Sequence, residues 1–167
     1  MTVVFFEPHH DDAVLFACYT LLREQAGVVT VFGGDERRQH ETWEAMDLLD
    51  VPHEEWTVPH DRRDIFRWME KADDGEVTVW APMVEEGGHL DHNLVGWAAA
   101  DVFGDRCRFY ATYKRGHGRT RTDNEVAPEP DWYAKKFNAM SCYVSQINHP
   151  QMRPWFCSDD CLREWVA

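Results

Sequence analysis

The stretch Val3-Val4-Phe5-Phe6-Glu7-Pro8-His9-His10-Asp11-Asp12-Ala13-Val14-Leu15 decides how this chain folds. Val3 to Phe6 is a continuous apolar run, the pattern of a strand buried on both faces. Asp11 to Gln25 is apolar nearly all round, so it predicts a helix packed on several sides, closed by Gly27. Between the two lies a short turn crowded with imidazoles and carboxylates.

Working outward, the same alternation repeats. Val28 to Phe32 predicts a second strand, ended by Gly33-Gly34, and Asp35 to Asp50 a helix with Trp43, Met46 and Leu49 on one side. Ile65, Trp68, Met69 and Ala72 recur at i, i+3, i+4 and i+7, an amphipathic helix. Val77 to Trp80 predicts a strand stopped by Pro82, Asp91 to Phe103 a helix, and Cys107 to Ala111 a strand. Lys114 to Glu125, rich in Gly, Arg and Thr, predicts a mobile loop. Tyr133, Phe137, Met140, Val144 and Ile147 form one helical stripe, and Asp159 to Val166 reads as a last helix. Strand-helix alternation with apolar strands predicts an α/β fold, a mostly parallel sheet with helices on both faces. Ligands of such sheets bind at the carboxyl ends of the strands.

The chain has 167 residues, which fits one domain, 1–167. Hydrophobic residues make up 44%, enough for a core, and an aromatic share of 13% argues against disorder. With 17 Lys and Arg against 30 Asp and Glu the net charge is −13, which disfavours general nucleic-acid binding because phosphates meet net repulsion. No run approaches the roughly 18 apolar residues of a membrane span, so no membrane partner is expected. The opening residues lack a basic region and meet Glu7-Pro8 after a few apolar positions, unlike a secretory leader. A cytoplasmic location follows as the expectation, with the five cysteines read as reduced thiols or metal ligands. The oligomeric state is not legible.

Two clusters follow predicted strands: Pro8-His9-His10-Asp11-Asp12, and Gly87-Gly88-His89-Leu90-Asp91-His92. A catalytic zinc site takes three protein ligands and keeps one position open. His9 and Asp12, three apart across a strand-to-helix turn, can face one ion, and His92 can join from the second loop. Each cluster alone has a plainer reading. Asp11 and Asp12 can cap a helix and complement its dipole. His10 can be a solvated loop residue, and His89 and His92 can sit on an exposed turn capped by Asp91. Both clusters falling at one edge of one sheet favours the metal.

Pro8-His9-His10-Asp11-Asp12-Ala13-Val14-Leu15 resembles the P-H-P-D-D-E-x-L signature of the PIG-L/LmbE-like zinc de-N-acetylases, and His89-Leu90-Asp91-His92 resembles their H-P-D-H signature. Arg38, Glu41, Ala45, Leu49, Asp50 and Val51 fit the family's R-x-x-E-x-x-x-A-x-x-x-L-G-V helix, and Lys136 followed by Ser145-Gln146 is similar to its K…S-Q segment. The matches span about residues 3–147, leaving 148–167 as a C-terminal extension. The resemblance implies a Rossmann-like fold and hydrolysis of an N-acetyl group from an amino sugar or sugar conjugate of N-acetylglucosamine type. It makes His9, Asp12 and His92 the zinc ligands, Asp11 the general base, His89 the group that protonates the amine or steadies the oxyanion, and Asp91 its orienting partner. A bound Zn²⁺ would bring its water's pKa toward ~7 and polarise the amide carbonyl. Iron(II) suits the same two-His, one-carboxylate set. Departures from the pattern are His10 and Leu90 in place of Pro, Ala13 in place of Glu and Asp50 in place of Gly. His10 is also a rival to His9 as ligand.

Arg38, with Arg37 beside it, is expected to bind an anionic or hydroxylated part of the substrate; the alternative is a surface pair with Glu41. Lys114, Arg115, His117, Arg119 and Arg121 make a basic loop, either solvated or holding a phosphate, nucleotide or carboxylate. Cys142, His149, Cys157 and Cys161 offer a second zinc site of irregular spacing, with buried thiols as the alternative. Two other functions fit the same sequence: the same chemistry on an N-acylated nucleoside, nucleotide sugar or modified base, or a Rossmann-like binding module without catalysis. Against the latter, no Gly-x-Gly-x-x-Gly follows the first strand.

Overall fold

The computed structural model describes residues 2–114 and 118–167. The first strand, β1 (Val3–Glu7), runs into α1 (Asp12–Glu24), followed by β2 (Gly27–Thr30), α2 (Glu36–Leu49), β3 (His53–Glu55), α3 (Arg62–Ala72), β4 (Thr78–Pro82), α4 (Leu90–Phe103) and β5 (Cys107–Tyr110). A hairpin of β6 (Tyr113–Lys114) and β7 (Gly118–Arg119) comes next, then β8 (Asn124–Glu125), α5 (Trp132–Ser141), α6 (Val144–Ile147), α7 (Arg153–Phe156) and β9 (Trp165–Val166). The main sheet has the order β3-β2-β1-β4-β5-β9-β8; β1 to β5 are parallel, and β9 and β8 add antiparallel. Strand order reverses between β1 and β4, and the two chemistry-bearing loops leave the carboxyl ends of those two strands. That is the crevice where open α/β sheets bind ligands.

Alternation along β1 explains the layers. Phe5 packs with α1, α2 and α5 on one face, alongside Leu15, Met46 and Met140. Phe6 packs on the other with α3 and α4, alongside Ile65, Met69, Val95 and Phe103. Gly96 lets α4 approach the end of β4. A Cβ there would stand 2.9 Å from Val84 Cγ2 and closer still to the Pro82 carbonyl oxygen. Among the described residues, no helix is long and apolar enough to cross a membrane.

Several local expectations are corrected. Helix α1 ends on Gln25, which takes the left-handed conformation (φ 50°), and Gly27 already belongs to β2. Asp50 at φ 55° occupies the left-handed position that a glycine would otherwise fill, a conformation Asp tolerates better than most residues. The described part of 114–125 is not a free loop, because Arg119 donates to the Leu15 carbonyl and β8 pairs with β9. The stripe from Tyr133 to Ile147 breaks after Ser141, and its Tyr133 and Phe137 face solvent while Lys136, Ala139 and Met140 point inward. The segment 159–166 is a 3₁₀ turn and a strand instead of a helix.

Helix α1 is itself broken. Ala17 leaves helical geometry (φ −141°, ψ 18°), which strips backbone groups of their helical partners. A buried ion pair repairs the break. Glu164 accepts from the Tyr19 amide at 2.9 Å and pairs with Lys136 Nζ at 2.7 Å; Lys136 Nζ and Arg119 Nη2 both donate to the Leu15 carbonyl. Residues near the C-terminus thus hold the helix that carries Asp12.

Candidate metal centre

One oxygen gathers the site. The His9 backbone amide donates to Asp12 Oδ2 at 2.9 Å, His9 Nδ1 lies 3.1 Å from it, and His92 Nε2 lies 3.3 Å from it. The turn between β1 and α1 is closed by the Asp12 amide donating to the His9 carbonyl, which sets both side chains on one side. His92 enters from the first turn of α4 and is buried. Its Nδ1 sits 3.0 Å from Thr112 Oγ1, just past β5, and its Nε2 has no hydrogen-bond partner despite its approach to Asp12. The ligand-type atoms of His9, Asp12 and His92 lie within 4.8 Å of one another. Two imidazoles and a carboxylate, with one buried nitrogen unsatisfied, fit a divalent transition metal.

Asp91 stands beside this set. Its Oδ2 is 3.0 Å from His9 Nε2 and 3.8 Å from His89 Nδ1, and its Oδ1 is 3.1 Å from His60 Nδ1. The sequence reading pairs Asp91 with His89 or makes it the helix cap; here its closest partner is His9, and His89 is the cap, accepting from the Asp91 amide at 3.2 Å. A carboxylate on the second nitrogen of a ligating histidine fixes its ring and tautomer. His9, His89 and Asp91 also bring ligand-type atoms within 4.8 Å of one another, so two candidate sets share His9.

Asp11 points to the same crevice and is held by Arg38, whose Nη2 lies 2.5 Å from Asp11 Oδ1. Burial pushes the Asp11 carboxyl up, against the pull of Arg38. Burial acts on Asp12 the same way, but His92 and His9 outweigh it and hold that carboxyl well below the usual range. His9 loses charge stability to burial, yet Asp12 more than restores it and raises the ring to about 10. Two adjacent aspartates thus titrate in opposite directions. Asp91, hydrogen-bonded to His9, is lowered to about 2.

These groups open on a cavity of about 160 Å³ lined by His9, Asp11, Asp12, Arg38, His89, Phe16 and Tyr113, and roofed by Gln146, Met152 and Trp155. The roof comes from the chain's last quarter. Trp155 packs on Tyr113 with ring centroids 4.9 Å apart. Glu41 accepts from the Ser145 amide and hydroxyl at 2.7 and 2.5 Å, which anchors Gln146. Larger cavities of about 450 and 550 Å³ lie near the opposite ends of the strands, away from these ionisable groups.

Other expected residues lie elsewhere. His10 is buried and turned away, 3.1 Å from Glu55 Oε2, so it neither rivals His9 nor sits in solvent. Arg37 is exposed and pairs with Glu41 at 3.5 Å, outside the cavity. Lys114 is 3.6 Å from Glu85 and does not line the cavity. Arg121 pairs with Asp160, and Arg119, half-buried, donates to backbone carbonyls; Arg115 and His117 lie outside the described residues. Cys142, His149, Cys157 and Cys161 bring no ligand set together among the described residues, and the five cysteines form no disulfide. His60, Thr112, Tyr113 and Trp155 were not singled out for this site by the sequence. Thr112 and Tyr113 carried a signal, since they directly follow a parallel strand; His60 and Trp155 carried none.

No protein-family model and no curated protein sequence matches the chain. Solved structures do. The zinc-inhibited form of teicoplanin deacetylase Orf2 matches with a TM-score of 0.68 at 16% identity, over 88% of this chain and 85% of its own. The 4-carboxy-2-hydroxymuconate hydratase GalB from Pseudomonas putida KT2440 matches with 0.66 at 16% identity, over 93% and 83%. The N,N'-diacetylchitobiose deacetylase from Pyrococcus horikoshii matches with 0.57 at 18% identity, over 96% and 72%. The mostly parallel main sheet with helices on both faces is the fold this protein shares with them.

Proposed function

We propose that this chain is a divalent-metal-dependent N-deacetylase of the PIG-L/LmbE type, hydrolysing the acetamide of an N-acetylated amino sugar or conjugate to the free amine and acetate. The observation that carries the reading is the convergence of His9 Nδ1 and His92 Nε2 on Asp12 Oδ2, with His92 Nε2 buried and unsatisfied. Two of the three similar structures described above are deacetylases, one of them for diacetylchitobiose.

His9, Asp12 and His92 would hold the ion; zinc suits them, and so does iron(II). A bound divalent ion supplies a Lewis acid for the acyl oxygen and makes water a better nucleophile at neutral pH. Asp11 takes the proton from the attacking water, with Arg38 fixing its other oxygen. His89, on the cavity wall, delivers a proton to the leaving nitrogen. Asp91 keeps the His9 ring in the tautomer that turns Nδ1 toward Asp12. The cavity of about 160 Å³ beside these groups would receive the acetamide end of the substrate.

The test is elemental analysis of the purified chain together with acetate release from a panel of N-acetyl sugars, N-acyl nucleosides and nucleotide sugars. Stoichiometric metal with release from the sugars supports the reading. Metal without release from any N-acyl compound overturns deacetylation. The likeness to a hydratase favours one second reading, addition of water to an unsaturated carboxylate by the same Asp11 and Arg38. Loss of the conjugated-alkene absorbance of such an acid, with no acetate formed from any N-acyl compound, would select it.

A further inference from the structure

Resting on the metal-centre reading above, we propose that His60 is a positioning residue for the ligand His9 and acts through Asp91. The two oxygens of Asp91 are divided between two rings: Oδ2 faces His9 Nε2 at 3.0 Å and Oδ1 faces His60 Nδ1 at 3.1 Å. A carboxylate tied through one oxygen can still turn about its terminal bond. A second donor on the other oxygen stops that rotation. The rotation matters here because Oδ2 must stay on His9 Nε2 to hold that ring in place. His60 therefore keeps Asp91 on His9.

His60 is itself held. Its ring stacks on Phe32 with centroids 4.0 Å apart and planes 19° from parallel. Phe32 is buried two residues past β2, and its backbone bridges to Thr57, three residues before His60. The stack orients Nδ1 toward Asp91 although the His60 side chain is 60% exposed. Exposure limits what one such hydrogen bond contributes, so the expected effect is modest.

The experiment uses the full chain, stripped by chelator and reloaded with Zn(II) or Co(II). Metal affinity is measured by competition with a chromophoric chelator at one pH, with the cobalt absorption spectrum recorded alongside. His60→Phe keeps the stack and removes the donor; His60→Asn, whose amide nitrogen stands where Nδ1 does, returns an N–H donor; Asp91→Asn marks the broken link. Asp91→Asn is expected to weaken binding about 10- to 100-fold. His60→Phe is expected to weaken it about fivefold and to move the cobalt spectrum toward that of Asp91→Asn, with the melting temperature of the metal-free chain unchanged and His60→Asn recovering most of the loss. Wild-type affinity and spectrum in His60→Phe overturn the inference while leaving the metal centre standing. Equal losses in both His60 variants with a lowered metal-free melting temperature overturn it too, since the role is then packing. Failure of the unmodified chain to bind either metal overturns the metal centre and this inference together.

Discussion

Arg38 Nη2 lies 2.5 Å from Asp11 Oδ1, while Asp11 Oδ2 is buried with no hydrogen-bond partner. One oxygen is tied down and the other is left to react, the arrangement a general base needs. Asp11→Asn is isosteric and keeps the Arg38 contact, but cannot take a proton. Metal content is expected to stay stoichiometric while kcat falls by about 10²- to 10⁴-fold. Full turnover in this variant would remove Asp11 from the chemistry.

Truncating the other partner acts differently. Arg38→Ala removes a charge-assisted hydrogen bond of about 2 kcal/mol, so kcat/KM drops roughly thirtyfold. Burial already raises the Asp11 carboxyl and Arg38 opposes that. Losing the guanidinium moves the acid limb of the pH–rate profile to higher pH. An unmoved limb would show that Asp11 is not the group titrating there.

Metal removal is read out as stability. An ion present at 100 times its Kd stabilises the folded chain by about 2.7 kcal/mol. Chelation therefore lowers the melting temperature of the wild type. In His92→Ala, which loses a ligand-type nitrogen buried against Asp12, the chelator is expected to do almost nothing.

Lys136 and Glu164 are both fully buried and pair at 2.7 Å, and neither lines the cavity. Lys136→Met leaves the Glu164 carboxylate uncompensated and is expected to cost about 3–5 kcal/mol in chemical denaturation. Because Glu164 also accepts the Tyr19 amide at the break in α1, the loss spreads to the helix that carries Asp12. A neutral result would mean that water reaches the pair.

Glu7 gives a pH signature. Burial pushes its carboxyl from 4.5 up to about 8, so the folded chain keeps a proton that the unfolded chain releases. The stability this proton contributes is complete below about 4.5 and is lost as pH rises through about 8. Glu7→Gln, which cannot ionise, is expected to remove that part of the decline in the metal-free chain. Parallel stability curves for the two proteins would rule out a neutral Glu7.

Much of the frame was readable in one dimension because it rests on periodicity. Alternating apolar strands and helices specify a covered parallel sheet, and Val3 to Phe6 could be read as one of its buried strands because all four side chains are apolar. Positions decided by distant partners were not readable. Glu164 reads as one more surface acid in a charged tail, yet it is fully buried because an interrupted helix 145 residues earlier needs an acceptor. Tyr133 and Phe137 read as core and are exposed, since periodicity marks a face without saying which way it turns.

The sequence alone determined that imidazoles and adjacent carboxylates stand at the ends of two parallel strands, because the sheet's pattern and the residues following it are both local properties. Only the tertiary structure decided which of them meet. His9 and His92 converge on Asp12, His10 turns away to Glu55, and Asp91 closes on His9 and His60 instead of on His89. Such choices depend on the relative placement of elements dozens of residues apart, which the packing of both sheet faces sets and no local pattern encodes.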